Sequence, residues 1–150
     1  MRNSRLKSDG SIKAIFKVDL KTKIARPLLG TDVPAGFPSP AQDYIEDRLD
    51  LNEHLIQHPS ATYFVRVDGY SMIEAGIFPD DILIVDRSLE GVHNKVIIAV
   101  LNGELTVKRL FIKNDIYFLK PENPEFDSIE ITKEDQFSVW GVVTYVIHKL

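Results

Sequence analysis

The 150-residue chain contains no cysteine. That removes disulfides, thiolate metal sites, CxxC redox chemistry and a cysteine nucleophile, and it suits a reducing compartment. Long apolar runs are missing too. The longest, Val96 to Leu101, is six residues, whereas a membrane helix needs roughly 20. The N-terminus is basic, but no apolar stretch follows it, so it does not read as a secretory signal. The phosphate-loop pattern G-x-x-x-x-G-K-[ST] and the dinucleotide pattern G-x-G-x-x-G are absent, and nothing else here is built to cradle phosphates. No internal repeat occurs at a fixed period. What remains is 44% hydrophobic and 27% charged, the composition of an ordinary soluble domain with a sizeable core. A cytoplasmic protein with no membrane association is expected.

Charge is unevenly spread. Residues 1–26 hold eight Lys/Arg against two Asp, a net +6, while residues 27–150 hold ten basic and twenty acidic groups, a net −10. A basic arm on an acidic body either binds nucleic acid or lies on the body by charge complementarity. The charge leaves both open, beside the plain reading of a solvated tail. Val18 and Leu20 alternate with polar residues, so the arm could also add a strand to a sheet edge.

Breakers follow the arm. Pro27, Pro34, Pro38 and Pro40 sit with Gly30 and Gly36 inside fourteen residues, which predicts an extended, exposed stretch. Such stretches are where peptidases cut. Ser39-Pro40 reads as an N-cap with proline at the first helical position, predicting a short helix over Ala41 to Arg48. A second should start at Asp50, with Glu53 as capping partner, and stop at Pro59.

From Ala61 the texture changes to β-branched and aromatic runs: Thr62–Val67, Ile82–Asp86, Val96–Leu101, Leu105–Ile112, Ile116–Leu119, Ser128–Ile131 and Phe137–Ile147. With no helical run between them, they predict a mostly β, antiparallel body. Asn102-Gly103 is the sharpest local signal, a two-residue type I′ hairpin loop. Its undistorted register pairs Leu101 with Glu104 and so sets Lys108 opposite Ile97, with Ala99 and Thr106 on the same face. A lysine there is partly desolvated, and its pKa should fall.

Few constellations carry chemistry. His54 and His58 are four apart, but the intervening Leu55-Ile56-Gln57 lacks the glutamate of a zincin. His93 and His148 have no ligand-like neighbours, so surface or structural roles are expected and no metal or cofactor. Gly69-Tyr70-Ser71-Met72-Ile73 lacks the second glycine of an α/β-hydrolase elbow. The serine does sit where a strand ends and the chain turns, a place where backbone N–H groups can face an oxyanion. A neutral lysine can activate such a serine if its pKa drops by about 3 units, roughly 4 kcal/mol. Composition alone does not select this pair, because a turn serine and a strand lysine are ordinary features. A non-catalytic β interaction module with a swapping or DNA-binding arm is the alternative reading.

At these residues the sequence resembles the LexA/UmuD family of self-cleaving serine peptidases. The resemblance runs through Ala35-Gly36-Phe37-Pro38-Ser39-Pro40-Ala41, Asp50-Leu51-Asn52, Leu55 to Val65, then Gly69, Ser71 and Met72. It continues through Asp81 with Leu83-Ile84-Val85-Asp86, Gly103-Glu104, Thr106-Val107-Lys108 and Trp140-Gly141-Val142-Val143. It covers about residues 35–147, and the serine–lysine spacing of 37 fits. It implies Ser71 as nucleophile and Lys108 as general base, with Gly69, Tyr70 and Met72 positioning substrate and oxyanion. The scissile bond implied is Ala35–Gly36, dividing an extended arm, 1–35, from a peptidase and dimerisation domain, 36–150. The implied fold is a compact antiparallel β peptidase domain with short N-terminal helices. The implied setting is the SOS response: a homodimer cleaves itself when stimulated by a RecA filament on single-stranded DNA. It then joins a UmuC-type polymerase subunit in error-prone translesion synthesis. The leader is longer and more basic than the family's, Tyr70 stands at a variable position, and Pro79-Asp80-Asp81 replaces a Gly-Asp turn. A repressor's helix-turn-helix does not fit within residues 1–26, and a signal peptidase would need a membrane anchor.

Overall fold

A computed structural model describes residues 7–23, 25–29 and 45–150. The chain divides into two units, residues 1–18 with 60–150, and residues 19–59.

In the larger unit the short apolar runs form strands, and in a central one such as Val96–Leu101 successive side chains enter opposite buried faces. They are β1 (Lys7–Ser8), β2 (Ile12–Lys17), β5 (Thr62–Val67), β6 (Ile82–Asp86), β7 (Val96–Leu101), β8 (Glu104–Lys113), β9 (Ile116–Lys120), β10 (Ile129–Glu130) and β11 (Phe137–Ile147). β3 (Ala25–Leu29) and β4 (Ile45–Asp50) belong to the smaller unit. One nine-stranded sheet runs β10-β9-β8-β7-β11-β6-β5-β2, with antiparallel neighbours throughout and β1 added parallel to β8. The mostly β, antiparallel expectation is met. Three body strands, β5, β6 and β7, have the expected bounds, as does β11; the other three differ by a residue or two.

The sheet buries apolar residues in two clusters. Val65, Val67, Met72, Leu83, Val85, Ile98 and Val107 meet in one. Ile97, Ala99, Leu110, Leu119 and Val142 meet in the other. β7 feeds both, Ile98 to one and its neighbours Ile97 and Ala99 to the other, as strand alternation requires.

The hairpin register is as predicted. Asn102 and Gly103 have φ of 51° and 83°, Leu101 pairs with Glu104, and Ile97 pairs with Lys108. β9 covers only Arg109 to Lys113 on the outer side of β8. On the uncovered first half, β1 pairs Lys7 with Glu104 and Ser8 with Leu105. β2, which starts at Ile12, pairs with β5. The arm therefore does add strands to the sheet, earlier than Val18–Leu20 and at two places that the sheet order separates.

In the smaller unit β3 (Ala25–Leu29) pairs antiparallel with β4 (Ile45–Asp50). This overturns the predicted helix at its C-terminal half: Ile45 to Arg48 are strand, while 41–44 lie outside the described residues. A one- or two-turn helix is marginal alone, and pairing with Ala25–Leu29 supplies backbone partners a local signal cannot reveal. The second helix is present as α1 (Leu51–Leu55), where the Asp50 carboxylate accepts from the N–H of Asn52 at 2.9 Å and of Glu53 at 3.3 Å. It ends four residues before Pro59, which opens a 3-10 turn instead.

β11 is bulged between Val139 and Gly141 where it faces β7. A Cβ on Gly141 would lie 2.5 Å from Val85 Cγ1 and 3.3 Å from Arg87 Cγ. Val85 is a fully buried core residue and cannot yield freely. Gly141→Ala is expected to cost about 1–3 kcal/mol, read as a lowered urea midpoint at unchanged m-value. A midpoint equal to wild type would show that this crossing tolerates a methyl group.

Candidate active site

β5 ends at Val67 and delivers the chain into a tight turn, Asp68 to Met72. Gly69 has φ +77°, a left-handed conformation that costs a side-chain-bearing residue about 1 kcal/mol. Its N–H donates to Asp68 Oδ1 at 2.8 Å. After the turn a 3-10 segment, Ile73–Ala75, ends on the left-handed Gly76. A second loop braces this one. Glu122 N–H donates to the Ser71 carbonyl at 2.8 Å, Glu74 N–H donates to the Glu122 carbonyl at 2.9 Å, and the buried Asn123 donates through Nδ2 to the Tyr70 carbonyl at 2.9 Å. The N–H groups of Tyr70, Ser71 and Met72 donate no hydrogen bond among the described residues.

Lys108 comes from the middle of β8. Ile97 and Ala99 on the facing strand are fully buried, and only 5% of Lys108 is exposed. Its three N–H bonds are all committed: to Thr106 Oγ1 at 2.7 Å, the Val107 carbonyl at 3.1 Å and Asp9 Oδ2 at 3.5 Å. Burial pushes the Lys108 amine below the ordinary lysine value, and the Asp9 charge and hydrogen bond only partly restore it. For Asp9, burial works upward. The hydrogen bonds from Ser11 and Thr106, with the Lys108 charge, outweigh it and hold the carboxyl below the usual range.

Ser71 and Lys108 line one cavity of about 210 Å³, together with Asp9, Gly10, Ser11, Asp68, Gly69, Tyr70 and Phe126. Of the residues singled out in the sequence, Ser71, Lys108, Gly69 and Tyr70 meet there. Met72 does not: its side chain is buried in the core, so only its backbone can serve the turn. Ala35 and Gly36 lie outside the described residues. Sequence reasoning missed Asp9, Ser11, Asn123 and Phe126. For Asn123 the available signal is its place between Pro121 and Pro124, which marks a turn.

Elsewhere, two histidines have structural partners. His93 Nδ1 accepts from Ile112 N–H at 2.9 Å, and His148 Nδ1 lies 2.6 Å from the buried Asp81. Among the described residues no group of three or more His, Asp or Glu is placed to hold a metal. No helix there is long and apolar enough to cross a membrane.

Comparison with known proteins gives the family. The pattern of the Peptidase S24-like family matches residues 27–144, and the chain belongs to that family, whose members are self-cleaving serine peptidases. It is 44% identical over 126 residues to Protein ImpA of Salmonella typhimurium, covering 83% of this chain and 84% of that protein. It is 44% identical over 114 residues to Protein MucA of Escherichia coli, covering 75% and 77%. It is also 38% identical over 110 residues to LexA repressor 1 of Pseudomonas syringae pv. tomato, covering 73% of this chain and 54% of that repressor. The family resemblance read from the sequence is thereby established.

Proposed function

We propose that the protein cleaves its own Ala35–Gly36 bond, with Ser71 as nucleophile and neutral Lys108 as base. The observation that carries this is the shared cavity: a turn serine and a desolvated lysine, 37 residues apart in sequence, face the same space. Lys108 takes the Ser71 proton as Oγ attacks the Ala35 carbonyl carbon. The oxyanion is held by N–H groups of residues 70–72, since that of Gly69 is given to Asp68. The Lys108 ammonium then gives its proton to the Gly36 nitrogen as the C–N bond breaks, leaving Ala35 esterified to Ser71. Water, deprotonated by Lys108, hydrolyses the ester and regenerates the serine. The products are an arm, 1–35, and a body, 36–150.

The family resemblance, supported by the likeness to ImpA, MucA and a LexA repressor, extends the reading to biology. The protein acts in the cytoplasm as a homodimer in SOS mutagenesis. A RecA filament on single-stranded DNA stimulates the cut, and the shortened dimer serves a UmuC-type polymerase in translesion synthesis. The test is incubation of the purified protein with RecA, nucleotide and single-stranded DNA, followed by mass measurement. The expected large product begins at Gly36 and carries 10 basic and 19 acidic side chains, net −9 against −4 for the intact chain. A product beginning elsewhere overturns the bond assignment. A cleavage rate indifferent to the filament overturns the RecA link.

A further inference from the structure

The arm holds only two acidic residues among eight basic ones within its first 26 positions, yet one of them, Asp9, reaches the buried Lys108. The way it gets there is set by the sheet. β1 is fastened to β8, the strand of Lys108, and β2 is fastened to β5, the strand that runs into Ser71. The turn Asp9–Gly10–Ser11 therefore spans the gap between the two catalytic elements.

Its fastenings are specific. Asp9 Oδ2 accepts from Thr106 Oγ1 at 2.6 Å and from Lys108 Nζ at 3.5 Å. Asp9 Oδ1 accepts from the Ser11 N–H and hydroxyl at 2.9 and 2.5 Å. Ser11 Oγ in turn accepts from Val107 N–H at 3.2 Å, and its carbonyl accepts from Asp68 N–H at 2.9 Å. Besides Asp9, the ionisable groups around the cavity are Asp68 and Tyr70. Asp68 accepts from Gly69 N–H, Tyr70 is 61% exposed, and neither bonds Lys108.

An ammonium has three N–H donors and no acceptor. With Thr106, Val107 and Asp9 taking all three, Lys108 is arranged as a charged, fully bonded group, and Ser71 is not among its partners. We propose that the Asp9–Gly10–Ser11 turn is an intramolecular latch on the base, holding Lys108 charged and turned away from Ser71 until the turn leaves the cleft. The latch rests on the Ser71–Lys108 reading above. It lies on the arm that the cut detaches, so the cleaved body would be freed of it. The two-residue pairing of β1 is a weak hinge from which the turn can lift.

The experiment compares wild type with Asp9→Asn, which keeps the shape and, with its oxygen toward Thr106, that hydrogen bond, while removing the charge and giving up the bond from the Ser11 N–H. Unassisted self-cleavage is followed from pH 6 to 10.5, with the thermal midpoint as a check on folding. Removing a carboxylate beside an ammonium should raise the rate near neutrality by about tenfold or more and move the rising limb to lower pH. The gain should shrink toward alkaline pH, where neutral Lys108 no longer attracts Asp9. An equal gain at every pH would mean that the turn only obstructs the cleft, and the charge latch falls. An unchanged or slower rate also overturns it, while leaving the dyad standing provided cleavage still requires Ser71. If Asp9→Asn combined with Ser71→Ala still cuts, the dyad and the latch fall together.

Discussion

Ser71→Ala is expected to abolish self-cleavage while leaving the fold intact. The hydroxyl is the atom that must form the acyl bond; the other serine lining the cavity, Ser11, has its hydroxyl tied between the Asp9 carboxylate and the Val107 N–H. Loss of a serine nucleophile lowers turnover by about 10⁴-fold or more, which here means no product on the time scale of the wild-type reaction. Stability should hardly change. Ser71 Oγ has no hydrogen bond to another described residue, and the turn is held by backbone contacts from Glu122 and by Asn123. Removing a turn hydroxyl costs about 1 kcal/mol at most. Paired assays of cleavage and thermal midpoint read this directly. A Ser71→Ala protein that cuts at the wild-type rate would assign the nucleophile elsewhere.

Lys108→Arg is expected to be as inactive as Lys108→Ala, although it conserves the charge. A guanidinium stays protonated at any working pH and accepts no proton. The larger head group would also have to enter a site where Lys108 is only 5% exposed, so a drop in stability is expected beside the loss of activity. Ala separates the two effects, since it removes the base without adding volume. Cleavage by the Arg variant at a tenth of the wild-type rate or better would mean that positive charge, rather than proton transfer, is what position 108 supplies.

Local chemistry made much of the body legible. Asn102-Gly103 needs two left-handed residues, and that requirement alone set the register that placed Lys108 against Ile97. The apolar runs bounded by turn residues became strands with little shift, because packing on two faces and turn chemistry agreed. Ser71 was legible as a strand-end serine, and the family resemblance supplied the rest of its reading.

What stayed hidden is non-local. Ile45 to Arg48 carried a helix expectation, and their strand depends on residues 25–29 some twenty positions away. β1 and β2 attach to strands about 95 and 50 residues downstream, and nothing in Lys7–Lys17 names either partner. Asp9 in a basic arm reads as one more solvated charge. Its meaning comes only from β1, which carries it to Thr106 and Lys108. Among the described residues the basic arm's charge meets the body at Lys13–Asp80, 3.0 Å, and at Lys23–Glu53, 3.5 Å, exposed pairs worth little by themselves.

The pH dependence of unassisted self-cleavage tests the central claim most directly, because it reports the protonation of the base in the reacting protein. Burial holds the Lys108 amine below the ordinary value of 10.5. Only the neutral amine can take the Ser71 proton, and its fraction grows as pH rises. Below the pKa the rate should therefore climb about tenfold per pH unit and level off before that ordinary value. A rate that is flat from pH 6 to 10 would contradict the account, and so would a plateau reached near pH 6.5–7, where a histidine base titrates.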